Sequence, residues 1–225
     1  MLQSKWILIL LTITIHAGAN CQDRYVSVGG AITEFLIDLG QEDCLVAIDM
    51  ASKLPNKKVP SVGYHRAIQA EGILSMKPDL LFYRDDAGPT STIKQLQSFD
   101  IKLQPIPVAY EVEAIKANIR TLAQVTSSKV NVEEYISEFE NKILTAQKQG
   151  HQTAKESAIF IYARGGNTIL VAGKKTAGTS MLQLSALKNP VPFYGYKPIS
   201  TEAMIGFQPS YLIFTDAGLE SLGGL

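Results

Sequence analysis

The chain has 225 residues, 46% hydrophobic and 19% charged, with 21 basic and 21 acidic residues and a formal net charge of zero. That is globular composition, enough for one large or two small domains. A balanced charge leaves no electrostatic footprint for nucleic acid or an anionic membrane, and the longest positive cluster, Lys57-Lys58, reads as a solvated turn.

At the N-terminus Lys5 supplies a positive start, Trp6 to Ile15 an apolar stretch, and Ala17-Gly18-Ala19 a small-residue cleavage pattern. These are the parts of a secretory signal peptide, residues 1–19. The apolar stretch is shorter than the roughly 20 residues that a membrane-spanning helix takes. Asn20 ahead of Cys21 fits a lipid-attachment signal poorly, so cleavage after Ala19 and a soluble product are expected. Cys21 and Cys44 each stand just ahead of an apolar run, Tyr25 to Val28 and Leu45 to Ile48. That placement at one end of adjacent strands permits a disulfide in an oxidising compartment. Two buried free thiols fit the residues equally.

Tyr25 to Val28 reads as a strand, Gly29-Gly30 as a turn, and Ala31 to Leu39 as an amphipathic helix stopped by Gly40. Leu45 to Ile48 is a second expected strand, and Val59 to Val62 leads into a loop at Gly63. Then comes a passage that occurs twice. Glu71 to Tyr83 reads EGILSMKPDLLFY, and Glu202 to Phe214 reads EAMIGFQPSYLIF. Each is a Glu, an apolar helical turn, a Pro seven residues after the Glu, an apolar run and a short Asp/Gly stretch (Asp85 to Gly88, Asp216 to Gly218). Pro ends the helix because it lacks an N–H and restricts the residue before it. The run behind it has the character of a buried parallel strand. One unit used twice predicts two similar lobes with a cleft between them.

Thr90 to Phe99 is an expected helix and Ile101 to Val108 a Pro-marked strand near an edge. The alternation predicts an α/β lobe over residues 24–110 with a mainly parallel sheet. Residues 111–150 carry helical periodicity broken at Ser127-Ser128. Within them Val132 to Gln149 keeps Tyr135, Ile136, Phe139, Ile143 and Leu144 close to one face, as a long connecting helix would. Residues 151–225 form a second expected lobe: strand Ala158 to Ala163, loop Arg164 to Asn167, strand Thr168 to Val171, helix Thr176 to Leu187, then the second copy. In the first lobe a helix and a strand follow the repeated unit, whereas here only Leu219 to Leu225 remain. The predicted fold is α/β, with two Rossmann-like lobes, mainly parallel sheets, and a second lobe that is incomplete and leaves a sheet edge open.

Four stretches carry a resemblance: Val59 to Arg66 (VPSVGYHR), Ala70 to Pro78 (AEGILSMKP), Ser27 to Glu34 (SVGGAITE) and Val171 to Ala177 (VAGKKTA). With the two lobes, the joining helix and the export signal, the chain from about Arg24 onward resembles the substrate-binding proteins of ABC importers, in the subgroup for ferric siderophores, vitamin B12 and haem. The Val-Gly-Tyr-x-Arg loop and the Ala-Glu-Gly helix start resemble specifically the periplasmic haem-binding proteins. The resemblance implies a periplasmic location, haem as the carried ligand, an ABC permease as partner, and no enzymatic activity.

It also implies that Tyr64 is the axial ligand to haem iron. A phenolate is a hard anionic oxygen that suits Fe(III), and Tyr ligation of haem is known. Tyr64 follows Gly63 at the end of an apolar run, the side on which α/β sheets present ligands. Arg66, two residues on, is placed to support the phenolate with its charge. If neighbours in an extended loop point opposite ways, His65 flanks the site without sharing the iron. Some family members add a second-lobe His, but His16 lies in the signal and His151 follows the connecting helix. Arg164, Asn167 and Lys174 are the candidates for meeting propionates. Glu71 and Glu202 stand at equivalent helix starts, favourable for the helix dipole. In the family the matching glutamates dock onto permease arginines.

Other classes fit less well. Gly29-Gly30 is not G-x-G-x-x-G, Gly173 to Thr176 misses the phosphate-loop spacing, and no G-x-S-x-G is present. A zinc or manganese carrier wants several His and carboxylate ligands, yet only His65 and His151 follow the signal. The nearest rival is a ferric-siderophore or B12 binder, with Tyr64, Tyr83, Tyr110, Tyr194, Tyr196 and Arg84 lining the cleft.

Overall fold

The computed structural model describes residues 21, 23–150, 156–163 and 169–224. The signal segment, Arg164, Asn167 and His151 lie outside the described residues. The first lobe holds strands β1 (Tyr25–Val28), β2 (Leu45–Ile48), β3 (Leu80–Arg84) and β4 (Lys102–Ile106). They form one sheet in the order β2-β1-β3-β4, and every pair is parallel. β1 and the first four residues of β3 are buried throughout, as strands covered on both faces must be. β4, with Pro105, lies at the edge as expected.

Side chains alternate between the two faces of this sheet. Tyr25, Leu80 and Phe82 pack against α1 (Gly30–Asp38) and Leu122, while Val26, Val28, Leu81 and Tyr83 pack against Ile73 and Leu96 on the other face. Those two residues belong to α2 (Ala70–Leu74) and α3 (Thr90–Leu96). Cys21 and Cys44 are disulfide-bonded with Cα atoms 5.2 Å apart, so the sequence's open alternative resolves to the bridge.

The connecting segment is two helices, α4 (Val112–Thr126) and α5 (Val132–Gly150), with Ser127 in the left-handed region at φ 49°. Arg120 pairs with Glu133 at 2.7 Å and Lys116 with Glu140, tying the helices together. Two bonds fasten the connector to the end of α1. The Tyr135 hydroxyl donates to Asp38 at 2.6 Å, and the Ser128 hydroxyl donates to the Leu39 carbonyl at 2.8 Å.

The second lobe contains β5 (Ala158–Ala163), β6 (Ile169–Ala172), α6 (Ala177–Leu184), β7 (Tyr196–Lys197), α7 (Thr201–Gly206), β8 (Tyr211–Phe214) and α8 (Asp216–Glu220). Its sheet runs β7-β6-β5-β8 and is mixed, which corrects the expectation of two mainly parallel sheets. β5–β6 and β6–β7 are antiparallel, and only β5–β8 is parallel. The link from Ala163 to Ile169 is far shorter than the dozen or so residues that a parallel crossover takes.

The repeat is structural as well as sequential. α2 leads to β3 and α7 to β8, and in each unit the residue before the Pro is left-handed: Lys77 at φ 48° and Gln208 at φ 47°. That conformation ends the helix where the coming Pro disfavours the α region. Asp79 N–H donates to the Arg24 carbonyl at 2.9 Å, and Ser210 N–H donates to the Ser157 carbonyl at 2.8 Å.

Candidate functional site

A cavity of about 830 Å³ opens beyond the C-terminal ends of β1, β3 and β4 and is closed on its far side by the second lobe. That is where open α/β sheets present ligands, and the volume sits within the ~300–1,000 Å³ usual for small-molecule sites. Tyr64, His65 and Arg66 line it from the loop after β2, and Arg84 and Asp86 from the end of β3. Tyr110 lines it from the segment after β4. Tyr162, Lys175 and Tyr196 face them from the second lobe.

The Tyr64 loop is built by a glycine and held by its neighbours. Gly63 has φ 94°, a conformation that favours glycine, and its carbonyl accepts from Met50 N–H at 2.9 Å. Ala67 N–H closes a turn onto the Tyr64 carbonyl at 2.8 Å. The loop after β3 braces this turn, with Gly88 N–H on the His65 carbonyl at 2.9 Å and Ile68 N–H on the Gly88 carbonyl at 3.0 Å. Tyr64 and His65 are consequently half-buried with their ring centroids 4.3 Å apart. The expectation that they point opposite ways fails, because the backbone turns here and is not extended. Burial, then the charge of Arg84, pushes the His65 imidazole below its usual range.

Three charged groups lie together beside that loop. Arg84 donates through Nε and Nη2 to the two Asp86 carboxylate oxygens at 2.7 and 2.8 Å, and Arg66 reaches the same carboxylate at 3.2 Å. Asp86 is held below the usual carboxylate range, first by the hydrogen bonds from Arg84. Those bonds likewise raise Arg84. Beneath the cleft runs a buried polar chain, Ser27 to Thr33 at 2.8 Å, Thr33 to Ser52 at 2.9 Å, and Ser52 to Asp49.

Several sequence candidates fall elsewhere. Lys174 is turned to the Tyr194 ring, with Nζ 5.8 Å from its centroid, and its neighbour Lys175, at φ 54°, lines the cavity instead. Of the five cleft tyrosines of the rival reading, Tyr64, Tyr110 and Tyr196 line the cavity, Tyr83 is buried in the first-lobe core, and Tyr194 is exposed. Asp86, Lys175 and Tyr162 were not singled out in the sequence. Tyr162 and Tyr196 pair on the far wall, centroids 5.7 Å apart, which the β5–β6–β7 pairing arranges. Glu71 and Glu202 are both exposed in the first turns of α2 and α7. A backbone N–H hydrogen bond, and after it the Ser200 hydroxyl, lower Glu202 from its ordinary value.

Residues 26–223 match the periplasmic binding protein family. The chain belongs to that family. A vitamin B12-binding protein of Pectobacterium carotovorum is 26% identical over 216 residues, 92% of this chain and 76% of that protein. Among solved structures, the periplasmic haem-binding protein RhuT from Roseiflexus sp. RS-1 superposes with TM-score 0.83 at 32% identity, covering 90% of this chain and 80% of that one. HutB of Vibrio cholerae, also a periplasmic haem-binding protein, gives TM-score 0.79 at 32% identity over 90% and 79%. A periplasmic haem-binding protein from Pseudomonas aeruginosa gives 0.82 at 28% identity over 89% and 76%. Members of this family are substrate-binding transport proteins. No helix among the described residues is long and apolar enough to cross a membrane.

Proposed function

We propose that this protein captures ferric haem in the inter-lobe cleft through Tyr64 and delivers it, unaltered, to an ABC permease from the periplasm. The observation that carries the reading is Tyr64 itself, a half-buried phenol on a braced turn at the wall of a cavity large enough for a flat macrocycle. A phenolate oxygen suits Fe(III). The tyrosine pair Tyr162 and Tyr196 offers aromatic surface to a ring system from the opposite wall. Arg66, Arg84 and Lys175 offer positive charge to its propionates. Arg164 and Asn167 keep their proposed part there.

In the same reading residues 1–19 direct export. Glu71 and Glu202, exposed on equivalent helices, dock onto permease arginines. The B12-binding relatives support a second ligand class for the same cleft. Visible-absorption titration of the mature protein with ferric haem and, in parallel, with cyanocobalamin separates them. A saturable tyrosinate-ligated ferric spectrum, lost in Tyr64→Ala, is expected. Saturable binding of cyanocobalamin alone, indifferent to Tyr64→Ala, would replace haem by B12.

A further inference from the structure

The polar chain beneath the cleft ends on a carboxylate that is 1% exposed, Asp49. With Ser27 as donor to Thr33, each hydroxyl passes its hydrogen on toward it: Ser27 to Thr33, Thr33 to Ser52, and Ser52 to Asp49 Oδ1. Aligned donors of this kind polarise one another. Asp49 Oδ2 is buried as well and accepts no hydrogen bond among the described residues. An apolar side chain would fill the same space at lower cost to the fold.

The second lobe supplies a control. There α6, whose first residue Ala177 lines the cavity, is fastened to the end of β6 by neutral groups. Thr179 Oγ1 donates to the Gly173 carbonyl at 2.6 Å. Asn189 Nδ2 donates to Thr179 Oγ1 at 2.6 Å and to the Ala172 carbonyl at 2.8 Å. A cavity-facing helix is thus fixed without a carboxylate.

What sets Asp49 apart is its place in the backbone. Its N–H donates to the Ser27 carbonyl of β1 at 3.0 Å, while the residues on either side bond the opposite way. Ile48 N–H donates to the Pro60 carbonyl at 3.1 Å and Met50 N–H to the Gly63 carbonyl at 2.9 Å. Residues 60–63 therefore run beside 48–50 as a short parallel extension of the sheet. Met50 lies inside a turn closed twice, by Ser52 N–H on the Asp49 carbonyl at 3.1 Å and by the Ser52 hydroxyl on the Asp49 carboxylate. The bond that holds Gly63, next to Tyr64, is made from that turn. Thr33 ties the turn to α1, whose Ala31 and Ile32 line the cavity.

We propose that Asp49, with Ser52 and Thr33, is a positioning residue for Tyr64, holding the tyrosine's turn at a fixed place relative to the start of α1. This rests on the reading of Tyr64 as the iron ligand.

The test compares wild type with Thr33→Val, Thr33→Ser, Asp49→Asn, Thr179→Val and Tyr64→Phe. Thr33→Val nearly keeps the shape and cuts the chain at its link to α1, and Thr33→Ser restores the hydroxyl. Each protein is read by thermal melting, by amide hydrogen exchange of Met50 and residues 60–67 without ligand, and by visible-absorption titration with ferric haem. Thr33→Val and Asp49→Asn are expected to speed that exchange roughly tenfold, to weaken haem binding about three- to tenfold, and to shift the tyrosinate-to-iron band. Thr33→Ser is expected to restore all three. Asp49→Asn should melt no lower than wild type, because a neutral amide is less costly to bury part-paired than a carboxylate. Thr179→Val should lower the melting temperature and leave both the exchange and the band as they are.

Unchanged exchange at residues 60–67 in Thr33→Val and Asp49→Asn overturns the inference, as does a loss that Thr33→Ser leaves in place or an equal band shift from Thr179→Val. A lower melting temperature in Asp49→Asn with exchange and band unaltered, the pattern of a merely structural group, overturns it too. If Thr33→Val does not fold, Asp49→Asn decides. Wild type without a tyrosinate spectrum, or Tyr64→Phe retaining it, overturns the haem reading alone, since exchange in the ligand-free protein tests the hold on the turn by itself.

Discussion

The two copies of the repeated unit have the same local geometry and opposite surroundings. Lys77 and Gln208 take nearly the same left-handed turn, and β3 and β8 each run parallel to the first strand of their lobe. β3 lies between β1 and β4, and Leu81 is fully buried. β8 is an edge strand, and Leu212, at the equivalent position, is 48% exposed. The turn chemistry of a segment is thus set within the segment, whereas the contribution of its apolar run depends on what lies beside it. The copies differ also at their far ends, where one turns charges into the cavity and the other turns into α8.

The sharpest break in that comparison comes from truncating equivalent residues. Leu81→Ala is expected to lower unfolding free energy by about 2–5 kcal/mol, as for other fully buried leucines. Leu212→Ala is expected to cost less than about 1 kcal/mol, because half its surface is already in water. Urea unfolding of both variants measures the contrast, and equal losses would mean that β8 is covered in solution.

A smaller effect separates the charged end of the first copy from its uncharged counterpart. Asp86 is held below its ordinary value by Arg84, so its stabilisation is present above the unfolded-state value of about 3.9 and is lost as pH falls through the lower folded value. Wild type should therefore lose melting temperature more steeply than Asp86→Asn as pH falls from about 4. Coincident acid limbs would show that the Arg84–Asp86 pair adds nothing to the fold.

The smallest effect tests what the copies share. Lys77→Gly and Gln208→Gly each relieve a left-handed non-glycine residue at the cost of a freer unfolded chain, so each should stabilise by about 1 kcal/mol or less. Similar increments at the two positions, read as midpoint shifts in denaturant, are expected despite the different burial of the strands that follow.

Much of this arrangement was legible in the sequence. The apolar runs bounded by Pro and Gly located the strands of the first lobe, and the Pro-terminated repeat located β8. Strand direction in the second lobe was not, because an apolar run reads alike in either direction. Only the short link after Ala163 carries the information. In the site, Tyr64 stood out through the residues around it, but the side on which His65 falls depends on a turn closed by Ala67 N–H. Lys174 and Lys175 differ by one residue, and the left-handed φ at Lys175 decides which enters the cavity. Arg84 needed the β1–β3 register, a pairing between residues some 55 positions apart, before its place over Gly29 could be seen.

Helix α1 has a mechanical consequence. Ala31, Ile32 and Phe35 near its start line the cavity, and Asp38 with Leu39 at its end is bonded to the connector through Tyr135 and Ser128. A helix of nine residues is a rod about 13 Å long. The wall that meets the ligand and the joint that carries the other lobe are therefore the two ends of one lever, and whatever pushes on the wall also loads the joint.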